Sequence, residues 1–262
     1  MYKSSTRSGI RIGLASLTLL LAVATFQTGA VAANATPTAP TGNAMTPEEN
    51  FVNWVYYSVL FRAPDEEGFG YWTDQVEQNG PGPFIHAVVE GQEWREVWVD
   101  FSYQHWLDRE VDDGGVGFWS SYLATNRFDS FETFLASSDE AYEYSGETDE
   151  DYVDYVYFGA AFRSPTVEEQ AAGVVAVETG SRSDFVHSVL HSEDGMASRV
   201  EIAYDVALRR EPDPDGAMYW AGYYHATGSL SHMQGAMLLS PEAWEHAQDP
   251  PTFDPDRTPF TR

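Results

Sequence analysis

His187 and His191 lie four residues apart, the spacing that places two imidazoles on one face of a helix in zinc enzymes. A catalytic zinc also needs a third ligand and usually a glutamate directly after the first histidine, where this chain has Ser188. We therefore expect both histidines to be exposed polar residues of a helix. No metal site and no cofactor is predicted from this pair.

Two acidic stretches beside glycine, residues 212–216 and 112–115, resemble the oxygen-rich loops that bind calcium. A helix-loop-helix calcium site also needs a bidentate glutamate at its twelfth position, and counting from Asp213 that position is Tyr224. Asp213 is moreover expected to cap the following helix. The sequence therefore predicts only weak, non-specific binding of calcium.

A set of residue types recurs four times along the chain. Arginine is preceded six residues earlier by tyrosine, and is followed by aspartate at three, glycine at six and tryptophan at ten residues. The members are Tyr56, Arg62, Asp65, Gly68 and Trp72; Tyr103, Arg109, Asp112, Gly115 and Trp119; Tyr157 and Arg163 in a degenerate third copy; and Tyr204, Arg210, Asp213, Gly216 and Trp220. Near thirty residues after each arginine a small residue precedes an acid by two positions. The chain is thus predicted to repeat one unit of about 47 residues.

Helix signals dominate every unit. Thr46-Pro47-Glu48-Glu49 is a capping box, and Asp65 is a suitable cap for a second helix. The later third helices are expected to open at Asp129, Ser183 and Ser231. No stretch alternates apolar and polar residues over five positions, so we predict an all-α fold. The four tandem multi-helix units are expected to form either an elongated or a paired array.

The chain is expected to divide into eight segments. They are a signal peptide at 1–35, a short linker at 36–45, helical repeats at 46–94 and 95–144, an acidic hinge at 145–151, a degenerate repeat at 152–195, a fourth repeat at 196–247, and a disordered tail at 248–262. The leader combines three basic residues with an apolar run of about 14 residues, which is too short to span a bilayer. We therefore expect a secreted protein, extracellular or on the cell surface, without a transmembrane helix after cleavage.

Charge and composition exclude several classes of protein. The 14 basic residues face 41 acidic ones, for a net charge of −27, which argues against a nucleic-acid partner. Loss of the leader removes Lys3, Arg7 and Arg11 and takes the charge to −30. The chain has no cysteine, which excludes disulfides and cysteine nucleophiles.

The repeated motif resembles the bacterial secreted-protein repeat known as domain-of-unknown-function family 4214. The pattern Tyr-x3-Leu-x-Arg-x-Pro-Asp-x2-Gly-x2-Tyr-Trp is complete from Tyr56 to Trp72 and from Tyr204 to Trp220. The second copy has Val111 in place of proline, and the third keeps Pro165 but loses the aspartate, glycine and tryptophan. The resemblance implies a helical module of exported proteins. It extends distantly to the linker domain of phycobilisomes, and it brings no catalytic residues.

Two sets of repeated residues have alternative interpretations. Each arginine could hold an anionic ligand, but its presence in all four copies favours an ion pair that joins helix ends. The aromatic pairs Tyr71-Trp72, Phe118-Trp119 and Tyr219-Trp220 could stack on sugars. Large aromatic side chains more often pack in the core, which we favour here.

These patterns favour a secreted, non-catalytic binding or assembly module of the cell envelope or extracellular matrix, with a glycan or protein ligand. The alternative is a secreted hydrolase that uses carboxylate pairs between repeats. A polar cluster that occurs once, and that helix capping does not explain, would distinguish the two. The sequence comparison of the repeats reveals no such cluster.

Overall fold

The computed structural model describes residues 45–249, and within them every regular element is a helix. This confirms the all-α prediction; the expected signal peptide, residues 36–44 of the linker and residues 250–262 of the tail lie outside the described residues. The elements are α1 Pro47–Val55, continued by a π-helical turn Tyr56–Leu60, α2 Glu66–Asn79, α3 Pro81–Val89, α4 Gln92–Leu107, α5 Asp113–Leu123, α6 Phe128–Ala136, α7 Asp139–Ser145, α8 Asp149–Ala161, α9 Val167–Thr179, α10 Arg182–Leu190, α11 Glu193–Leu208, α12 Pro214–Thr227, α13 Leu230–Leu238 and α14 Pro241–Gln248. None of these helices is long and apolar enough to cross a bilayer.

Side-chain caps begin most of the helices. Thr46 and Glu49 form the expected capping box of α1. Asp65, Asp112 and Asp213 each accept a hydrogen bond from the amide three residues later, at 2.8, 2.9 and 2.9 Å. The small residues of the small-x-acid triplets precede the first residues of the helices that lead into the next unit. They are Gly91, Ser138, Ser192 and Ser240.

The third helices begin two residues earlier than expected, so the predicted caps Asp129, Ser183 and Ser231 are wrong. Ser181 and Ser229 cap α10 and α13 instead. The side chain of Asp129 is only 1% exposed, because it turns inward to pair with Arg127 at the start of α6. A polar residue of a type that suits a helix cap is therefore the buried partner of a half-exposed arginine.

The seven additional residues between the second and third units interrupt a long helix. Helices α4 and α11 each run for 16 residues, whereas the corresponding segment here is divided into α7 and α8 by residues 146–148. Gly146 supports the break with a φ of 122°. Asp149, Glu150 and Asp151 form the first turn of α8, so the hinge predicted at 145–151 is reduced to three residues between helices. The unit boundaries drawn at 94/95 and 195/196 lie inside α4 and α11.

Helices that lie far apart in the sequence contact each other. Helix α1 packs against α14 and α3 against α13, while α6 packs against α10 and α8 against α11. Gln248 donates to the carbonyl of Pro47 at 3.3 Å, and the rings of Phe51 and Trp244 lie 4.8 Å apart. Helices from the two ends of the described chain are thus in contact. Because Gln248 ends α14 and makes these contacts, the disordered tail predicted from 248 cannot include it.

A buried ion pair crosses the core between α6 and α11. Arg199 and Glu132 are 0% exposed, and two hydrogen bonds of 2.9 and 2.7 Å join them. Arg199 also donates to the carbonyl of Ala160 at 3.2 Å, and Trp106 donates to Glu132 at 3.4 Å. The pair therefore connects α4, α6, α8 and α11, segments that lie far apart in the sequence.

Candidate functional site

The four repeated arginines make the same set of contacts. Each guanidinium pairs with the acid of the next small-x-acid triplet; these acids are Glu93, Glu140, Asp194 and Glu242. Each also donates to the backbone carbonyl of the residue that follows it and lies 4.9–5.3 Å from the ring of its tyrosine. Since Nε, Nη1 and Nη2 of each guanidinium all contact groups of the protein itself, these arginines join helix ends.

A left-handed residue turns the chain into each of these contacts. The residues directly before the four arginines have φ values of 54, 49, 53 and 54°; they are Phe61, Asp108, Phe162 and Arg209. A non-glycine residue in this region costs about 1 kcal/mol or more. The same left-handed turn thus precedes the arginine at each of the four positions.

Tyrosine, glycine and tryptophan of the motif pack together. Trp119 donates to the hydroxyl of Tyr103 at 2.9 Å. In the fourth copy a Cβ on Gly216 would lie 2.1 Å from the hydroxyl of Tyr204, so the tyrosine requires a glycine there. Burial raises the pKa of both tyrosines.

The third copy replaces these contacts with others. Glu169 stands at the glycine position and accepts two hydrogen bonds from Arg163, at 2.8 and 2.7 Å. These bonds, with a backbone amide at Thr166, lower the pKa of Glu169 to about 2. Gly173 stands at the tryptophan position, and a Cβ there would lie 2.8 Å from Val153. The degenerate copy therefore substitutes an ion pair and a valine for the ring contacts.

The aromatic pairs are divided between surface and interior. The first ring of each pair is well exposed, at 56% for Tyr71, 62% for Phe118 and 64% for Tyr219. The tryptophans beside them are partly buried; Trp72 packs against Phe84 and Trp119 against Phe131, with ring centroids 5.1 and 4.9 Å apart. Each pair thus contributes one ring to packing and one to the surface.

The prediction that His191 is an exposed polar residue is wrong. Its side chain is 15% exposed, with Nε2 3.0 Å from Asp129 and Nδ1 3.2 Å from Nδ1 of His225. If Nε2 carries the proton donated to Asp129, then His225 must donate to the bare Nδ1 of His191. His187 remains exposed. In the described part of the chain, no group of three or more histidine and acidic side chains is placed to hold a metal ion.

A cleft of about 590 Å³ opens where three helix junctions meet. The walls come from the α3–α4 junction, the α5–α6 loop and the α12–α13 loop. The polar lining residues are Glu90, Arg95, Thr125, Asn126, Arg127, Ser130, Thr227, Ser229, Ser231 and His232, with Trp94 and Phe128 among the apolar ones. The cleft is therefore rich in hydroxyl groups and includes two guanidinium groups.

The two arginines of the cleft differ in what they bind. Arg127 pairs with Asp129 and donates to the carbonyls of His225 and Ala226 at the end of α12, both at 3.2 Å. Arg95 donates to the carbonyl of Glu90, and its Nε is buried without a hydrogen-bond partner. Seven other arginines of the described chain lie within 4 Å of a carboxylate, whereas Arg95 has no such partner there.

Glu90 is the one carboxylate among the residues that line the cleft. It lies 3.1 Å from Nε2 of His86 and 3.3 Å from Nε2 of His232. The carboxylate of Glu90 thus already faces two imidazoles on the rim.

Sequence comparison of the repeats missed this cleft for a clear reason. Positions equivalent to Arg95 hold Tyr142, Met196 and Trp244, so the residue belongs to no repeated pattern. The two other wall segments begin at Leu123 and Thr227, which are 28 and 132 residues after Arg95 in the chain. The feature of the sequence that could have indicated the cleft is Arg95 itself: it is an arginine outside the repeated pattern, in a chain with only 14 basic residues.

Comparison with known proteins adds one match. No curated protein and no solved structure shows significant similarity to the chain. Residues 39–81, which include Tyr56, Arg62, Asp65, Gly68 and Trp72, match the model of a family described as Domain of unknown function (DUF4214).

Proposed function

We propose that the chain is a secreted, non-catalytic binding module in which four copies of one helical unit support a ligand cleft. The observation that carries this proposal is the contrast between the repeated residues and the cleft. The repeated arginines, tyrosines and aspartates are occupied by contacts within the protein. The polar residues of the cleft lie outside the repeated pattern, and Arg95 among them has no carboxylate within 4 Å in the described chain.

Secretion is part of the same proposal. The basic start and the apolar run near the amino terminus favour an exported protein. After Lys3 the sequence contains no lysine, and its acidic residues greatly outnumber its arginines. Such a surface keeps an extracellular protein soluble and disfavours binding to nucleic acid.

The composition of the cleft favours binding over hydrolysis. Glycosidases commonly act through two carboxyl groups on either side of the scissile bond. The cleft lining offers Glu90 alone, and His86 and His232 face this carboxylate. A hydrolase would need a second acid beside the ligand, so it remains the less favoured alternative.

The proposal is tested by capture of extracellular glycans and proteins on the full chain, followed by glycan-array binding. We expect Thr125→Trp, which fills the cleft with an indole, to abolish capture. Thr179→Trp places the same group on an exposed position at the end of α9 and should leave capture unchanged. Capture that survives Thr125→Trp, or substrate turnover that is lost in Glu90→Gln, would contradict the proposal.

A further inference from the structure

We propose that His191 of α10 and His225 of α12 bind one divalent transition-metal ion between their Nδ1 atoms. Imidazole nitrogens suit ions such as Zn²⁺, which prefers a tetrahedral arrangement of ligands. The ion would connect α10 to α12. Neither histidine lines the cleft, so the inference is independent of what the cleft binds.

The spacing of the two imidazoles suits a tetrahedral ion. Nδ1 of His191 lies 3.2 Å from Nδ1 of His225. Two nitrogens that each lie about 2.0–2.1 Å from a tetrahedral zinc ion are about 3.3–3.4 Å apart, and the centroids of their rings are about 5.2 Å apart. The centroids of these two rings lie 5.3 Å apart. Binding of an ion therefore requires a displacement of at most a few tenths of an ångström.

A buried carboxylate orients His191 for this contact. Nε2 of His191 lies 3.0 Å from Asp129, whose side chain is 1% exposed and is paired with Arg127. Histidines that bind metal ions commonly donate their other ring N–H to a carboxylate, which fixes the tautomer and the orientation of the ring. With the proton on Nε2, the lone pair of His191 is on Nδ1, the atom that faces His225.

His225 supplies the second nitrogen from an exposed position near the end of α12. In the protein without an ion, Nδ1 of His225 carries the proton that it donates to His191. When an ion binds, this proton moves to Nε2 of His225, and both Nδ1 lone pairs face the ion. Within the described residues, no third histidine or acid is placed to complete the ligand set, so water takes the remaining positions.

The charge of the protein favours a cation at this position. The net charge of −27 raises the concentration of divalent cations near the surface. Asp129 balances the nearby guanidinium of Arg127, so that guanidinium opposes the approach of an ion less. A divalent ion is therefore attracted by the whole chain and held by two uncharged imidazoles.

Glu90 with His86 and His232 is the competing position for a divalent ion. Nε2 of His86 and Nε2 of His232 both lie close to the same oxygen of Glu90, at 3.1 and 3.3 Å. The side chains of His86, Glu90 and His232 are 71, 42 and 53% exposed, and both imidazoles face the carboxylate and not each other. This cluster lacks the buried carboxylate that orients His191, so it serves as the control.

The test is calorimetric titration of the full chain with Zn²⁺ in the presence of excess Mg²⁺. We expect one Zn²⁺ per chain, together with a rise in Tm because the ion binds the folded state. His225→Gln changes an exposed residue and should abolish both effects. His232→Gln is the matched control and should bind Zn²⁺ as the unchanged chain does. With Zn²⁺ bound, ¹⁵N NMR of the histidine rings should identify Nδ1 of His191 and Nδ1 of His225 as the ligands.

Three results would overturn the inference. A one-to-one zinc site that persists in His225→Gln would exclude the pair of imidazoles. A site that is lost in His232→Gln would place the ion at Glu90. Displacement of Zn²⁺ by Mg²⁺ would reduce the interaction to diffuse attraction by the acidic surface. Capture of a ligand by the cleft is measured with a zinc chelator present, so its loss in Thr125→Trp tests the proposed function separately.

Discussion

Arg199 donates to both carboxylate oxygens of Glu132, and neither side chain reaches solvent. Removal of one partner leaves a buried charge uncompensated, so Glu132→Gln and Arg199→Gln should each lower the free energy of unfolding by about 3–5 kcal/mol. The double variant Glu132→Leu/Arg199→Met should be less destabilised than either. Urea denaturation with tryptophan fluorescence measures these differences.

Arg62→Gln is the control for the buried pair, because Arg62 and Glu93 have side chains 40% and 42% exposed. An exposed pair is worth at most about 1 kcal/mol. If the buried and exposed variants lose the same stability, the core pair has no special role.

Replacing each of two glycines of α12 by alanine should change the stability of the protein in opposite directions. Gly216→Ala drives a methyl group against the hydroxyl of Tyr204 and should destabilise by about 1–3 kcal/mol. Gly222 has nothing within 4 Å of the added carbon, so Gly222→Ala should stabilise by about 0.5–1 kcal/mol through helix propensity. Differential scanning calorimetry distinguishes the two, and a stabilised Gly216→Ala would contradict the packing of the tyrosine.

The free energy of unfolding should decrease as the pH is lowered, because His105 is buried in its neutral form. Burial, followed by the nearby positive charge of Arg199, lowers the pKa of His105 to about 4, while Nε2 lies 2.9 Å from the carbonyl of Gly159. Below pH 6.5 His105 binds a proton in the unfolded chain, whereas in the folded chain it does so only near pH 4. Stability contributed by neutral His105 is therefore present above pH 6.5 and is lost as the pH falls to about 4, by up to about 3 kcal/mol.

His105→Gln isolates this effect from the many acids. Glutamine can still donate to the carbonyl of Gly159 but does not titrate, so the stability of the variant should depend less on pH between 6.5 and 4. The pKa of His191 is also lowered, chiefly by burial, and the same sign of pH dependence should remain in the variant from that residue. Parallel pH profiles for the two proteins would show that His105 is not the titrating group.

Calcium should stabilise the protein only weakly. Asp213 already accepts from the amide of Gly216 and lies 3.5 Å from Arg210, so it is not available as a free ligand. We expect a small rise in Tm with millimolar calcium that magnesium matches and that sodium chloride reduces, since screening acts on diffuse fields. Asp215→Ala should change nothing; a stoichiometric site that resists magnesium and disappears in this variant would refute the expectation.

The sequence predicts the helices well where the signal is local. Thr46, Asp65 and Asp213 cap their helices as expected, because a cap depends on residues within one turn. Asp129 shows the limit of such signals: its type suits a cap, yet Arg127 and His191 draw it inward. A contact partner sixty residues away leaves no trace in a local pattern.

The candidate site could not be predicted from the sequence, for the same physical reason. Repetition identifies residues that every unit needs, and those are the ones occupied by packing and ion pairs. Arg95 and Glu132 belong to single positions, and their roles follow from how helices of different units meet. Residues that depart from the repeat were the informative ones.

The contact of α1 with α14 has a consequence for how such a chain can change in length. An open solenoid accepts another repeat at its end, since each repeat touches only its neighbours. Here the side-chain amide of Gln248 already donates to the carbonyl of Pro47, and α14 packs against α1, so a further unit would have to displace this contact. Duplication or loss of one unit would expose apolar surface at the seam. Circular permutation with new ends at Gly146, between α7 and α8, would preserve that seam.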